Sequence, residues 1–154
     1  MTDAIIQTLM GAISSVAFAV FFNVRGKKLI LFFFTGALDW MVYLVCEHFG
    51  CNPFLSMFFA TMTAALSSEI FARIIRTPVL TLLVPTLVPL IPGGALYRTM
   101  DGLVQGDKAR FLEFGKSAIT SAAAICLGII CVTAITHMVF AIIEHFTKRQ
   151  HHRP

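Results

Sequence analysis

The sequence predicts an all-α integral membrane protein with about five transmembrane helices, the fourth broken by proline and glycine, plus a short interfacial helix. Hydrophobic residues make up 57% of the 154 positions and charged residues only 13%, whereas soluble domains are roughly half apolar and a quarter charged. The mean hydropathy is +0.82. The apolar residues form runs close to the ~20 residues that a helix needs to span a bilayer. We therefore expect a single membrane domain over residues 1–154, in contact with the lipid bilayer.

The first three runs each have the length of a membrane helix. Residues 4–22 hold no charge and correspond to about 28 Å of helix. The absence of a basic residue before this run favours a retained helix over a signal peptide. Residues 29–49 follow a basic turn and contain Asp39 near their midpoint, and residues 54–75 follow the short loop Cys51-Asn52-Pro53. These runs are the first three predicted spans.

The fourth run, residues 79–97, differs from the others because it contains several prolines and glycines. Each proline removes a backbone donor and costs about 3 kcal/mol inside a regular helix. The run is apolar enough to enter the membrane, but we expect a break within it. Residues 98–116 mix charges with aromatic and aliphatic side chains, which predicts an interfacial helix. Residues 117–143 are long enough to form the fifth span with a tilt.

The positive charges predict an orientation. If all five runs cross, eight Lys and Arg residues share one side of the membrane and four share the other. The positive-inside rule then places the N-terminus outside and the C-terminus in the cytoplasm of a plasma or inner membrane. If the fourth run re-enters instead, the split becomes nine against three with both termini outside, so charge leaves both topologies open. The group of eight comprises Arg25, Lys27, Lys28, Arg73, Arg76, Lys148, Arg149 and Arg153, and the group of four comprises Arg98, Lys108, Arg110 and Lys116.

The segment from Pro85 to Gly94 is the most informative in the sequence. Unwound backbone at membrane depth is tolerated only where protein buries it or a watery cavity adjoins it. The amide groups at the start of a half-helix can then bind an anionic substrate group, as in transporters with discontinuous helices. The alternative is a structural kink whose backbone groups are satisfied by neighbouring helices.

Three charged residues inside the predicted spans need a physical explanation. Asp39 at the centre of its span costs about 2.5 to 3.5 kcal/mol on insertion scales, so it should face the bundle interior or a cavity. It is a candidate coupling site for a proton or cation, and the alternative is a structural hydrogen bond. Glu69 and Arg73 lie four residues apart on the third run and are expected to form a structural ion pair.

Small residues recur at four-residue spacing in three runs, which allows close contact between helices. Either these faces pack within this chain, which we prefer, or they bind a partner subunit. The positions are Gly11, Ser15 and Ala19; Ala60, Ala64 and Ser68; and Ser117 and Ser121, with Ala124 and Gly128 beyond them.

Other classes of site are not indicated. The basic tail at residues 148–153 is too short for a nucleic-acid-binding surface. No GxSG motif is present, and Gly106-Asp107 lacks the earlier glycine of a GxGD protease motif, so we expect no enzyme. The histidines form no recognisable metal-ligand set, and the spacing of Cys46 and Cys51 alone does not establish a disulfide. We therefore expect no catalytic residues, metal, cofactor or nucleic-acid partner.

The segment from Pro89 to Tyr97, followed by Leu103-Val104-Gln105-Gly106-Asp107, resembles the proline-glycine and Gly-Asp signature of the threonine/serine exporter (ThrE-type) family. In length the chain is similar to the small, YjjB-like subunit, which corresponds to the C-terminal membrane half of the fused exporters. The resemblance covers nearly all 154 residues. The signature residues carried over are Pro89, Pro92, Gly93, Gly94 and Tyr97 as substrate-binding candidates, with Gly106 and Asp107 as motif residues.

The resemblance implies a function that composition alone does not. It implies a secondary exporter of small polar metabolites, either amino acids of the threonine/serine type or dicarboxylates, driven by an ion gradient. It also implies a hetero-oligomer in which a larger ThrE-like membrane subunit supplies the other half of the transport core. The alternative, from a different class, is a membrane scaffold or assembly subunit that transports nothing. Asp39 is not part of the matched signature.

Overall fold

The computed structural model describes residues 2–151, with side chains from Asp3 to Phe140 and at Ile142. The side chains of Lys148 and Arg149, and the whole of Arg153, which entered the charge argument, lie outside the described residues. The all-helical membrane fold predicted from the sequence is confirmed. Its helices are α1 Thr2–Phe21, α2 Leu29–His48, α3 Pro53–Ile74, α4 Val79–Leu87, α5 Gly93–Val104 and α6 Lys108–His151.

Helices α1 and α2 form an antiparallel pair that small residues hold at close range. A Cβ atom placed on Gly36 would clash with the Ser15 Oγ and lie 3.1 Å from the carbonyl oxygen of Gly11. One placed on Gly11 would lie 3.0 Å from the Cβ of Trp40. Without bulk at these positions, the two backbones can approach closely, as expected for membrane helices. The small-residue face of α1 is therefore used within this chain.

Replacing Gly36 by alanine is expected to destabilise the protein by roughly 1 to 3 kcal/mol, because the added methyl group overpacks the α1–α2 contact. The midpoint of thermal unfolding in detergent should fall accordingly. Adding Ser15→Gly to Gly36→Ala removes the atoms that clash and should recover most of the loss. Gly94→Ala is the control, since a Cβ there meets no atom within 4 Å. An unchanged midpoint for Gly36→Ala would show that the contact is not tight.

The fourth run folds as two helices joined by a break, as the sequence predicts. Helix α4 is followed by a 3₁₀ turn at Val88–Leu90, and α5 starts at Gly93 after a bend of 55°. The boundaries differ from the expected ones in two ways. The bent pair continues to Val104 rather than ending at residue 97, and residues 98–116 do not form a helix of their own. They are divided between the end of α5 and the start of α6, because the chain turns only at Gly106, which adopts φ +72°.

Helix α6 runs parallel to α3. Gly128 packs on Thr61. Further along both helices in the same direction, Phe140 lies against Arg73, with the guanidinium carbon 3.4 Å from the ring centroid. The chain leaves α3 at one end of the bundle and must enter α6 at the other. The bent pair therefore traverses the bundle instead of returning to its starting end. We call these the Arg76 end, with the connections 22–28 and 75–78, and the Asp107 end, with the turns 49–52 and 105–107.

The outer surface of the bundle is apolar. Many large hydrophobic side chains are exposed along all the helices, for example Met10, Phe34, Leu80 and Ile130. A soluble monomer rarely exposes apolar surface on this scale. Four helices are long and apolar enough to cross a membrane, and the bent pair makes a fifth if it counts as one span. The chain is therefore a multi-pass membrane protein.

Candidate functional site

The break between α4 and α5 leaves backbone groups without their regular helical partners. Proline has no N–H, so Pro85 and Pro89 cannot bond to the carbonyl groups of Thr81 and Pro85. The Ile91 N–H donates to the Val88 carbonyl at 3.2 Å, a tighter turn than an α-helix makes. The predicted interruption thus lies at residues 88–92, and the carbonyl groups before it are available to other donors.

Packing places this break beside the centre of α2. Leu90, only 2% exposed, lies in one cluster with Ala60 and Ala64 of α3, and Trp40 and Tyr43 of α2 pack against the same cluster. Trp40 directly follows Asp39 in the chain. The proline-glycine segment therefore packs against the part of α2 that carries Asp39.

Asp39 is buried, with 2% of its surface exposed, and neither carboxylate oxygen has a hydrogen-bond partner among the described residues. An unpaired polar group in an apolar interior is costly. The sequence prediction that Asp39 faces the bundle interior agrees with this position. Whether it binds a coupling ion stays a prediction.

Other buried polar atoms near the bundle interior were not singled out from the sequence. Like Asp39, they have no hydrogen-bond partner in the part of the chain that the structure describes. The Ser15 and Ser68 side chains were expected only as small packing residues, and the four-residue spacing on α1 and α3 was their only signal. The atoms are Ser15 Oγ, Trp40 Nε1, Ser56 Oγ, Thr61 Oγ1 and Ser68 Oγ.

The signature residues after the break face away from the chain's own core. Gly93 and Gly94 are exposed, and a Cβ on either would meet no atom within 4 Å. Tyr97, one turn further along α5, is 72% exposed. The fold of this chain does not explain why these positions are glycine. Pro89 and Pro92 are half-buried at the break itself, so the structure separates the five candidates into an inner and an outer group.

Gly106 and Asp107 form the turn between α5 and α6. The Asp107 N–H donates to the Gly102 carbonyl at 2.9 Å and the Gly106 N–H to the Leu103 carbonyl at 3.2 Å, which is the Schellman pattern of a helix end. The Asp107 carboxylate then accepts the Arg110 N–H at 3.1 Å and caps α6. The Gly-Asp motif therefore has a structural explanation.

Further contacts fix the α5–α6 hairpin. Arg110 forms an ion pair with Asp101 at 2.9 Å. A Cβ on Gly102 would lie 2.8 Å from the backbone nitrogen of Phe111, so the two helices approach closely there. Because α5 is held in this way, its first turn has a defined position relative to α6.

Substitutions in this turn should reduce the free energy of unfolding by amounts that follow from the backbone angle of Gly106 and the helix cap of Asp107. Gly106→Ala forces a side chain into the left-handed region at a cost of about 1 kcal/mol. Asp107→Ala removes the cap and should cost about 1 kcal/mol, whereas Asp107→Ser, which also caps, should cost less. Thermal unfolding of the three variants in one detergent tests the ranking. Equal stability of Asp107→Ala and the wild type would contradict the capping role.

Glu69 and Arg73 form the ion pair that their spacing predicts. The Arg73 Nη2 lies 3.2 Å from the Glu69 Oε2, and the Glu69 side chain is 9% exposed. The same guanidinium stacks on Phe140. The pair therefore joins α3 to α6 near the Arg76 end, far along the bundle from the break. Within residues 2–151, no group of three His, Cys, Asp or Glu side chains is placed to hold a metal ion.

The sequence matches a known protein family. The sequence profile of the family described as "Threonine/Serine exporter, ThrE" matches residues 7–149. The chain belongs to the threonine/serine exporter family. The match covers every helix from α1 to α6, including the break and the Gly-Asp turn, and it confirms the resemblance seen in the sequence. No curated protein and no solved structure matches the chain.

Membership in the threonine/serine exporter family supports a function in membrane transport rather than catalysis. That the break, Asp39 or the outward-facing glycines bind a small polar substrate stays a prediction.

Proposed function

We propose that this chain is the small subunit of a two-component secondary exporter of threonine/serine-type amino acids or of dicarboxylates. The observation that carries the proposal is the interrupted helix, which packs against the α2 segment that carries the buried Asp39. In this proposal the break forms one half of the substrate site, and a larger ThrE-like membrane subunit supplies the other half. The family match supports export of small polar substrates as the general activity.

The start of α5 supplies the binding chemistry. The N–H groups of Gly94 and Ala95 have no intrahelical acceptor, because they belong to the first turn of the helix. The positive end of the helix dipole lies at the same point and favours a carboxylate. All the proposed substrates carry at least one carboxylate. The glycines leave these amides sterically accessible.

The outward position of Gly93, Gly94 and Tyr97 supports a partner. A substrate that binds these residues lies at the surface of this chain, so another protein must enclose it from the opposite side. The larger subunit would do this with its corresponding interrupted helix. In this proposal the buried Asp39 couples binding to an ion gradient.

We also propose that the Asp107 end faces the outside and the Arg76 end the cytoplasm. The basic residues of the connections 22–28 and 75–78 support this orientation through the positive-inside rule. Because the bent pair traverses the bundle, the N- and C-terminal ends of the described chain lie on opposite sides, so the eight-against-four division of charge is the relevant one.

The first experiment is to identify what copurifies with the chain. A C-terminal tag, gentle extraction from the native membrane and mass spectrometry should recover a larger ThrE-like membrane protein in a stoichiometric amount. Reconstituting the pair in vesicles should then give export that neither protein supports alone. Recovery of the tagged chain only as a self-assembly, with the larger protein present in the same membranes, would contradict the two-component proposal.

The alternative, a scaffold subunit, predicts that the small-residue faces bind other proteins. In this structure Gly11, Ser15 and Ala19 pack within the chain, as do Ala60, Ala64 and Ser68. Two of the three faces are therefore already occupied. This favours the exporter proposal over the scaffold.

A further inference from the structure

The end of α2 brings two cysteines together. The Cys51 N–H donates to the Cys46 carbonyl at 3.0 Å and the Gly50 N–H to the Glu47 carbonyl at 3.0 Å. Gly50 adopts φ +74°. This is a Schellman motif, in which the side chains of its first and last residues commonly touch. Those residues are here Cys46 and Cys51.

We propose that Cys46 and Cys51 are a redox-active dithiol that closes to an intramolecular disulfide across the α2–α3 turn. Both thiols are free and half-buried. A disulfide needs Cα atoms about 4.4 to 6.8 Å apart with suitably directed Cβ atoms. A turn that hydrogen-bonds the backbone of one cysteine to the other supplies this proximity, whereas the five-residue spacing by itself does not.

The oxidant in the proposal is a low-molecular-weight disulfide. The thiolate of Cys51, in the loop, attacks one sulfur of the oxidant, forms a mixed disulfide and releases the first small thiolate. The thiolate of Cys46 then attacks the Cys51 sulfur, which forms the intramolecular bond and releases the second small thiolate. The protein loses two electrons to the oxidant, and the two protons from its thiols are taken up by the released thiolates.

The chain contains its own matched control. Cys126 and Cys131 have the same five-residue spacing but lie within the uninterrupted helix α6. In a straight α-helix, five residues rotate the side chain by about 140° from its start and raise it by roughly 7.5 Å. These two thiols therefore point in different directions and cannot join without unwinding the helix. Only the turn distinguishes the two pairs.

Closing the bond would fix the end of α2 against the start of α3. Further along the same two helices lie Tyr43, Ala60 and Ala64, which pack with Leu90 of the break. In the proposed orientation this turn faces the outside, where disulfides persist. The chemistry itself does not depend on that orientation or on the transport activity, because the oxidant can be added to the purified protein.

The test uses the purified full chain in detergent, exposed to oxidised glutathione, followed by alkylation of the remaining thiols and peptide mass spectrometry. In the Cys126→Ser/Cys131→Ser variant, the Cys46 and Cys51 peptides should be linked, unalkylated and lighter by two hydrogen atoms. In the Cys46→Ser/Cys51→Ser variant, the α6 thiols should remain unlinked. Two unlinked thiols in the first variant, or a linked pair in the second, would overturn the proposal.

A third variant tests the role of the turn. A Cβ on Gly50 meets no atom within 4 Å, so Gly50→Val adds no clash and acts through the positive φ. The valine disfavours the turn, and linkage of Cys46 to Cys51 should become roughly tenfold slower. Unchanged linkage in Gly50→Val would show that the turn does not bring the thiols together and would also overturn the proposal.

Discussion

Gly93→Leu is expected to reduce export by about 10- to 100-fold while the protein still inserts and folds. The reduction follows from the loss of one charge-assisted hydrogen bond of about 1.5 to 3 kcal/mol when a bulky side chain covers the amides at the start of α5. The fold should tolerate the change because a Cβ on Gly93 meets no atom within 4 Å. Export of labelled threonine, serine or succinate from vesicles that contain both subunits measures the effect.

Val104→Leu provides the control. Val104 ends the same helix and is 86% exposed, so the variant adds volume to α5 away from the break. Its export should match the wild type. Membrane yield and the thermal midpoint should be the same for both variants. Normal export by a well-folded Gly93→Leu variant would show that the first turn of α5 does not bind the substrate.

Asp39→Asn is expected to remove the dependence of export on pH. If each substrate molecule moves with one proton, a pH difference of one unit is worth about 1.4 kcal/mol and changes the steady-state substrate ratio about tenfold. The asparagine has nearly the same shape but does not titrate, so the ratio should no longer respond. Because the change replaces a buried acid by a neutral amide, the protein should fold as before.

Asp101→Asn is the matched control for this measurement. Asp101 is also a helical carboxylate, but it pairs with Arg110 in the hairpin at 2.9 Å and lies away from the centre of α2. The variant should keep the wild-type pH response. If Asp39→Asn keeps it too, Asp39 does not carry the coupling proton and the coupling ion binds elsewhere.

The sequence predicted the fold well because two physical rules determine where a membrane helix forms and where it breaks. Uninterrupted apolar runs of about 20 residues have one stable arrangement in a bilayer, and proline removes a helical donor wherever it occurs. The positions of the helices and of the break followed directly. The ion pair of Glu69 and Arg73 followed from helical spacing. The C-terminal end of α5 was not predicted. It depends on the left-handed turn at Gly106, which the charged residues around it do not reveal.

The site was less predictable because it depends on contacts between helices. Nothing in the local sequence places Trp40, the residue after Asp39, against Leu90, which is about fifty residues away along the chain. Their proximity results from how α2, α3 and the bent pair pack. The same holds for Gly106 and Asp107, which look like functional motif residues in the sequence but cap and terminate helices in the structure. Only the three-dimensional structure shows which motif residues shape helix ends.

Helix α6 is a continuous rod of 44 residues, about 66 Å long and roughly twice the thickness of the hydrocarbon layer. Its first turns are bound to α5 at one surface, and its middle is packed on α3 as far as Phe140 at the other. A helix without an internal hinge moves as a rigid body. A tilt of about 10° displaces one end by roughly 11 Å relative to the other, so a movement of the α5–α6 hairpin would be accompanied by a movement at the opposite end of α6.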